Sequence, residues 1–207
     1  MRKRLTIIIS GPSGVGKGTI CQKLLKEMDE LALSISCTTR APRPRMDGTM
    51  EEFGVEYYFL TEDQFMERVR KGDFMEYAGV HGRYYGTSKG FVDQMKEEGK
   101  DVLLEIDMQG ALQVKAADPE AILIYILPPD FETLKARLIG RGSETEDQLQ
   151  KRLGDAKEQL GYAYGYDYIV LNDDLDTAVQ EVKGIIDACA HRKSAQKQMI
   201  DSIIHSF

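Results

Sequence analysis

The sequence predicts an α/β fold in which helices cover both faces of a parallel sheet. Three observations predict it. The runs LTIII at 5–9, VLL within DVLLEID at 101–107 and AILIYIL at 121–127 are apolar apart from Thr6, as strands buried on both faces are. Segments with helical spacing alternate with these runs. The first run passes into the first helical segment through a glycine-rich string, GPSGVGKGT at 11–19.

Residues 5–28 read as strand, turn and helix. Ile20, Leu24 and Met28 recur every four positions, with Cys21 and Leu25 beside them. In the turn, glycines let consecutive backbone N–H groups face one concavity, and the helix N-terminus adds partial positive charge. The cradle comprises Gly11, Pro12, Ser13, Gly14, Val15, Gly16, Lys17, Gly18 and Thr19, with Lys17 placed to reach the outer phosphates of a nucleotide. An ordinary strand–helix turn is the competing reading, and the Gly11, Gly16, Lys17 spacing argues against it. The strict pattern puts Ser or Thr directly after the lysine to hold magnesium. Gly18 stands there, so Thr19 is the candidate metal-holding hydroxyl.

The segment 31–45 carries Arg40, Arg43 and Arg45 and no acid, and Pro42 and Pro44 forbid a continuous helix. Three arginines on a stiffened loop suit bidentate capture of phosphate rather than plain solvation. Residues 46–54 read as a surface loop and 56–60 as a short strand. Thr61 with Gln64 is a capping box opening a helix through Val69. FMEY at 74–77 and HGRYYGTS at 81–88 read as small strands and turns, followed by a helix over about 88–98. The strand at 101–107 ends in acids, where open parallel sheets place ligand-contacting groups.

Pro128 and Pro129 stop the strand at 121–127, and Asp130 caps a helix with Phe131, Leu134 and Leu138 on one side. Gly140, Arg141 and Gly142 break that helix. A further helix places Leu149, Leu153, Ala156 and Leu160 at spacings of four, three and four. Arg137, Arg141 and Arg152 fall in this helix–turn–helix; surface pairing with Glu144 or Glu146 is the alternative to a closing lid. A strand at 168–171 ends at Asn172. The last helix, from Leu175, turns Ala178, Val182, Ile185 and Cys189 inward and is loosely held beyond His191.

Length and charge bound the rest. The 207 residues suit one α/β domain with appended elements. A net charge of −7 argues against broad nucleic-acid or anionic-membrane binding. The three cysteines lack metal-ligand spacing and read as buried reduced thiols of a cytoplasmic protein. The basic start precedes an apolar run too short for a signal peptide, and no stretch approaches the ~20 apolar residues of a membrane span. His81, His191 and His205 take no role.

Five strings in order and spacing, GPSGVGKGT, SISCTTRAPR, FMEYAGVHGRYYGTS, LLEIDMQG and RLIGRGSETE, resemble guanylate kinase over about 5–176. The resemblance implies a P-loop kinase core with a parallel sheet flanked by helices, plus a GMP-binding insertion and a helical lid. Residues 1–33, 89–130 and 158–207 would form the core, 34–88 the GMP-binding part and 131–157 the lid. It implies transfer of the terminal phosphoryl of ATP to GMP with Mg2+ and without a general base. ATP and GMP are then the partners, and no nucleic acid, membrane or obligate protein partner is implied.

By position, Ser36, Arg40, Arg43, Tyr57, Glu76, Tyr85, Thr87 and Asp107 match the family's GMP site. Lys17 matches its ATP-phosphate lysine; Arg137, Arg141 and Arg152 match arginines of the lid and hinge. Asn172 resembles the residue near adenine. Chemistry supports the guanine assignment. Guanine offers N1–H and an amine as adjacent donors, and a two-pronged carboxylate at Glu76 can accept both. Hydroxyls at Ser36 and Thr87 would satisfy O6, and Asp107 would take a further amine hydrogen. Arg40, Arg43, Tyr57 and Tyr85 would hold the acceptor phosphate.

Three rivals are weaker. DMQG at 107–110 matches the D-x-x-G string of GTPases, but no N-K-x-D motif occurs in the chain. Guanylate-kinase-like scaffold modules lack the phosphate cradle, which is intact here. A kinase for another small acceptor would not need Glu76 with Thr87.

Overall fold

A computed structural model describes residues 2–45, 47–80, 82–139 and 146–207, with the backbone alone over 146–152. Strand β1 (Thr6–Ser10) leads through the glycine turn to α1 (Lys17–Glu27) and then β2 (Leu31–Leu33). A second group follows: β3 (Cys37–Thr38), β4 (Tyr58–Phe59), α2 (Glu62–Lys71), β5 (Phe74–Val80) and β6 (Arg83–Ser88). The chain then returns through α3 (Lys89–Glu97), β7 (Asp101–Glu105), α4 (Met108–Ala117) and β8 (Ile122–Leu127). Helices α5 (Phe131–Ile139) and α6 (Glu146–Leu160) precede a 3-10 turn (Gly161–Gly165), β9 (Tyr168–Leu171), α7 (Leu175–Ala190) and α8 (Lys193–Ile204).

The main sheet runs β2-β7-β1-β8-β9, and every pairing in it is parallel. Its two faces explain the apolar runs. Ile7 and Ile9 pack with Ile20 and Leu24 of α1 and Val179 and Val182 of α7. Ile8 points the other way, to Val92 of α3 and Ala111 and Val114 of α4. Because successive side chains alternate faces, a strand covered on both sides is apolar along most of its length, and the polar Thr6 and Ser10 of β1 are buried with their hydroxyls bonded to Asp118 Oδ2 and Ile106 O. Burying each such isoleucine contributes roughly 1.5–3 kcal/mol.

A second sheet, β4-β3-β6-β5, is mixed and has its own small core. Phe65 of α2 is fully buried there, stacked on Phe74 at 4.5 Å and on Tyr84 at 5.5 Å between ring centroids. The expected capping box is present: Thr61 accepts from Gln64 N, and the Gln64 side chain accepts from Thr61 N.

Several elements differ from the sequence expectation. Strand β7 stops at Glu105 because Asp107 caps α4, a helix the periodicity does not mark. Its alanines and glycine leave too little contrast between its faces. The D-x-x-G string is that cap, with Asp107 Oδ1 accepting from Gly110 N at 2.9 Å. The segment at 31–45 contributes strands to both sheets, β2 to one and β3 to the other. The chain end forms α8, tied at its start by Lys3 N donating to Ala195 O, while Ile203, Ile204 and Phe207 remain exposed. Val179 and Ile186 of α7 are buried, and Ile185 is only partly so. Gly140, Arg141 and Gly142 lie outside the described residues. All three cysteines are free and buried.

Candidate active site

The glycine turn sits at the C-terminal end of β1, in the middle of the main sheet. Ser10 Oγ donates to Ile106 O at 2.8 Å, tying the start of the turn to the end of β7. Two glycines are required by space and by backbone. A Cβ on Gly11 would lie 2.5 Å from Ile126 O, and one on Gly16, at φ 101°, would lie 2.5 Å from Asn172 Nδ2. Gly16 precedes α1 and offers it no side-chain cap, and its first turn holds no acid. Thr61, Ser88, Asp107 and Asp174 do cap α2, α3, α4 and α7. The first amides of α1 are thus without a capping side chain, the arrangement that receives an anion. Lys17 Nζ folds back over the turn, donating to Gly11 O at 2.8 Å and Pro12 O at 3.1 Å.

Glu76 faces this turn from the second sheet. It pairs across β5 and β6 with Thr87, whose hydroxyl donates to Glu76 Oε1 at 2.6 Å. The residue is only 4% exposed. Burial pushes its carboxyl up to about 7, against the Thr87 bond and with help from the nearby Asp107 charge. A carboxylate held near neutrality is poised for a ligand that supplies hydrogen-bond donors.

A cleft of about 390 Å³ joins the two ends. Gly11, Ser13 and Lys17 line one end, and Ser36, Arg43, Tyr57, Glu76 and Tyr85 the other. Glu105 and Asp107 line it from the end of β7. Tyr57 and Tyr85 meet edge to face at 6.0 Å, and burial raises the Tyr57 hydroxyl above its ordinary range.

Other expected residues are placed differently. Arg40 is buried and grips Glu51 with two nitrogens, at 2.8 and 3.0 Å, its guanidinium 5.1 Å from the centre of the Tyr57 ring. Arg45 grips Glu56 in the same way, at 2.8 and 2.9 Å. Of the three arginines expected to capture phosphate, Arg43 lines the cleft and the other two brace the 40–57 segment. The acids that hold them follow the basic stretch in sequence, beyond the window that made it look unpaired. Thr87 donates its hydroxyl hydrogen to Glu76, while Ser36 lines the cleft.

Asn172 is turned onto the glycine turn, its Nδ2 donating to Val15 O at 2.7 Å. Arg137 donates to Asn172 O at 2.9 Å, so α5 braces the same corner. Arg141 lies outside the described residues, as does the side chain of Arg152.

Three polar residues of the cleft lie outside the expected site set. Glu105 is one of the strand-end acids, and Asp155 and Gln159 lie four apart on α6. That helical spacing is a signal, though one shared by many solvated faces.

No cluster of three or more His, Cys, Asp or Glu suited to a metal occurs among the described residues. The oxygens beside the turn suit a hard cation held mainly by phosphates. The Glu105 carboxylate lies 3.5 Å from where a Gly18 Cβ would be, and Thr19 follows directly.

An uncapped glycine turn at the sheet end, facing a buried carboxylate across one cleft, defines a nucleotide-dependent phosphotransferase with a phosphate loop. Comparison with known proteins is specific. The guanylate kinase family profile matches residues 3–189. Guanylate kinase of Clostridioides difficile (strain 630) is 46% identical over 200 residues, covering 97% of this chain and 95% of the relative. That of Clostridium perfringens (strain 13 / Type A) is 48% identical over 180 residues, covering 87% and 81%. The crystal structure of guanylate kinase from Anaplasma phagocytophilum superposes with a TM-score of 0.76 at 28% identity, covering 94% of this chain and 90% of that one. The chain belongs to the guanylate kinase family and is a nucleoside monophosphate kinase.

Proposed function

We propose that the chain transfers the terminal phosphoryl group of ATP to GMP, giving ADP and GDP, across the cleft between the glycine turn and Glu76. The observation that carries the reading is the buried Glu76 carboxylate on the far wall of that cleft. Its two oxygens accept N1–H and the amine of guanine, with Ser36 at O6 and Asp107 beside the amine. Adenine lacks the N1 proton and would leave a buried acceptor unpaired, which discriminates more strongly than an apolar slot. Thr87 serves by orienting Glu76.

Arg43, Tyr57 and Tyr85 hold the acceptor phosphate. Arg40, fixed by Glu51, retains guanidinium hydrogens that can reach the same anion. The turn from Gly11 to Thr19 takes the ATP phosphates, and Lys17 exchanges its two carbonyl partners for phosphate oxygens. Arg137, Arg141 and Arg152 are the further cations of the transferring group, on a lid at 131–157. Residues 34–88 are the acceptor-binding part, and 1–33, 89–130 and 158–207 the core. Asn172 carries the adenine side of the site on the corner that it shares with Val15.

Mg2+ held by Thr19, Glu105 and the phosphates would neutralise charge developing between donor and acceptor. No side chain acts as general base, because the GMP phosphate is already largely ionised near neutrality. The residues act by alignment and by charge stabilisation in the transition state. No described helix is long and apolar enough to cross a membrane. We place the enzyme in the cytoplasm, with ATP and GMP as its partners and no nucleic acid, membrane or obligate protein partner.

A coupled assay of ADP release tests the reading. Turnover is expected to require GMP, to be weak with AMP, CMP or UMP, and to fall about 100-fold or more in Lys17→Ala. Comparable turnover with AMP, or an unimpaired Lys17→Ala enzyme, overturns it.

A further inference from the structure

Gly110 lies within α4, where glycine is the poorest helix former short of proline, and its backbone needs no positive φ. Its reason is space. A Cβ at this position would lie 2.5 Å from Glu76 Oε2 and 3.0 Å from Glu76 Cδ. The opposite oxygen, Oε1, is already held by Thr87 at 2.6 Å. The helix itself is fixed relative to β5 by the residue next to Glu76. Gln113 Nε2 donates to Tyr77 O at 2.8 Å, and Tyr77 N donates to Gln113 Oε1 at 3.2 Å. The bare backbone of α4 at 110 is therefore the floor on which the Glu76 carboxylate rests.

We infer that Gly110 is a positioning residue for guanine recognition: its missing side chain sets the depth at which Glu76 presents both oxygens to the base. The inference rests on the reading of Glu76 proposed above. A methyl group at 110 cannot be absorbed by α4, which Gln113 holds, nor by β6, which pairs with β5 across Thr87. The flexible end of Glu76 gives instead, and the direction open to it is the cleft that it lines. Folding is little affected, because the displaced group moves into open space. Recognition suffers, because two adjacent donors need two oxygens in one plane at hydrogen-bond distance.

The test is a cycle of Gly110→Ala, Glu76→Ala and the double variant, with KM for GMP and for ATP and the melting temperature measured for each. Gly110→Ala is expected to raise KM for GMP roughly 10- to 100-fold. KM for ATP should stay unchanged and the melting temperature should be equal or higher. In the Glu76→Ala background the same substitution should leave KM for GMP unchanged, since the group it displaces is gone. An unaltered KM for GMP in Gly110→Ala, or an equal rise in both backgrounds, overturns the role of Gly110. If Glu76→Ala alone keeps full preference for GMP over AMP, the reading of Glu76 fails first, and the inference falls with it.

Discussion

Replacing Glu76 by glutamine removes a charge from a site that resists charge while keeping the side chain's shape. The structure sets both sign and size. Burial, opposed by the Thr87 hydrogen bond and aided by the nearby Asp107 charge, moves the carboxyl from 4.5 to about 7. A folded-state value above the unfolded one means that the protonated side chain favours the fold. That contribution is complete below the unfolded value and is lost as pH rises through the folded value. Linkage makes the loss about 3 kcal/mol in full, most of it between pH 5 and pH 8. Glutamine does not titrate, so Glu76→Gln should lose less stability than the parent over that interval, by roughly 2–3 kcal/mol. Urea unfolding at pH 5, 6, 7 and 8 reads the difference directly. The same variant should bind GMP poorly, because its amide presents a donor to the donors of guanine. Saturating GMP should then stabilise the parent and not the variant. Parallel stability profiles for the two proteins, or a variant less stable than the parent at pH 8, would refute the reasoning.

Three further outcomes are expected. KM for GMP in the parent should rise as pH falls below 7, beyond what ionisation of GMP itself accounts for, and Glu76→Gln should abolish that excess; an excess retained by the variant counts against it. Asn172→Ala removes the bond to Val15 O that holds the glycine turn. It should cost about 1–3 kcal/mol and raise KM for ATP, and unchanged values for both would show that the bond is idle. Phe65→Ala empties the small core of the second sheet. It should cost about 3–5 kcal/mol, speed hydrogen exchange in α2 and β5 first, and weaken GMP more than ATP, whereas uniform loosening across both sheets would contradict a separate core.

Much of this protein is readable along the chain because the signals are local. LTIII and AILIYIL are apolar at every position but Thr6 since both faces of their strands are covered, and neighbouring sequence alone carries that pattern. Gly11, Gly16 and Lys17 announce a phosphate turn because the backbone conformation and the helix start they need lie within nine residues. Glu76 stands out by its aromatic neighbours and by family resemblance, yet sequence does not say how deeply it is buried. That depth comes from Thr87, eleven residues on, and from Gly110, thirty-four residues on. The arginines show the same limit. Arg45 looks like a phosphate hook until Glu56 is folded back against it, and Arg40 holds Glu51 as well, a partner that its own neighbours in sequence do not reveal. Asn172 looks like a strand end until the sheet carries it under Val15. What the sequence by itself determined is the parallel sheet and the phosphate turn. Which charges are spent on the scaffold, and which are kept for substrate, was decided only by tertiary structure, because electrostatic partners are chosen by distance in space and chain order does not encode it.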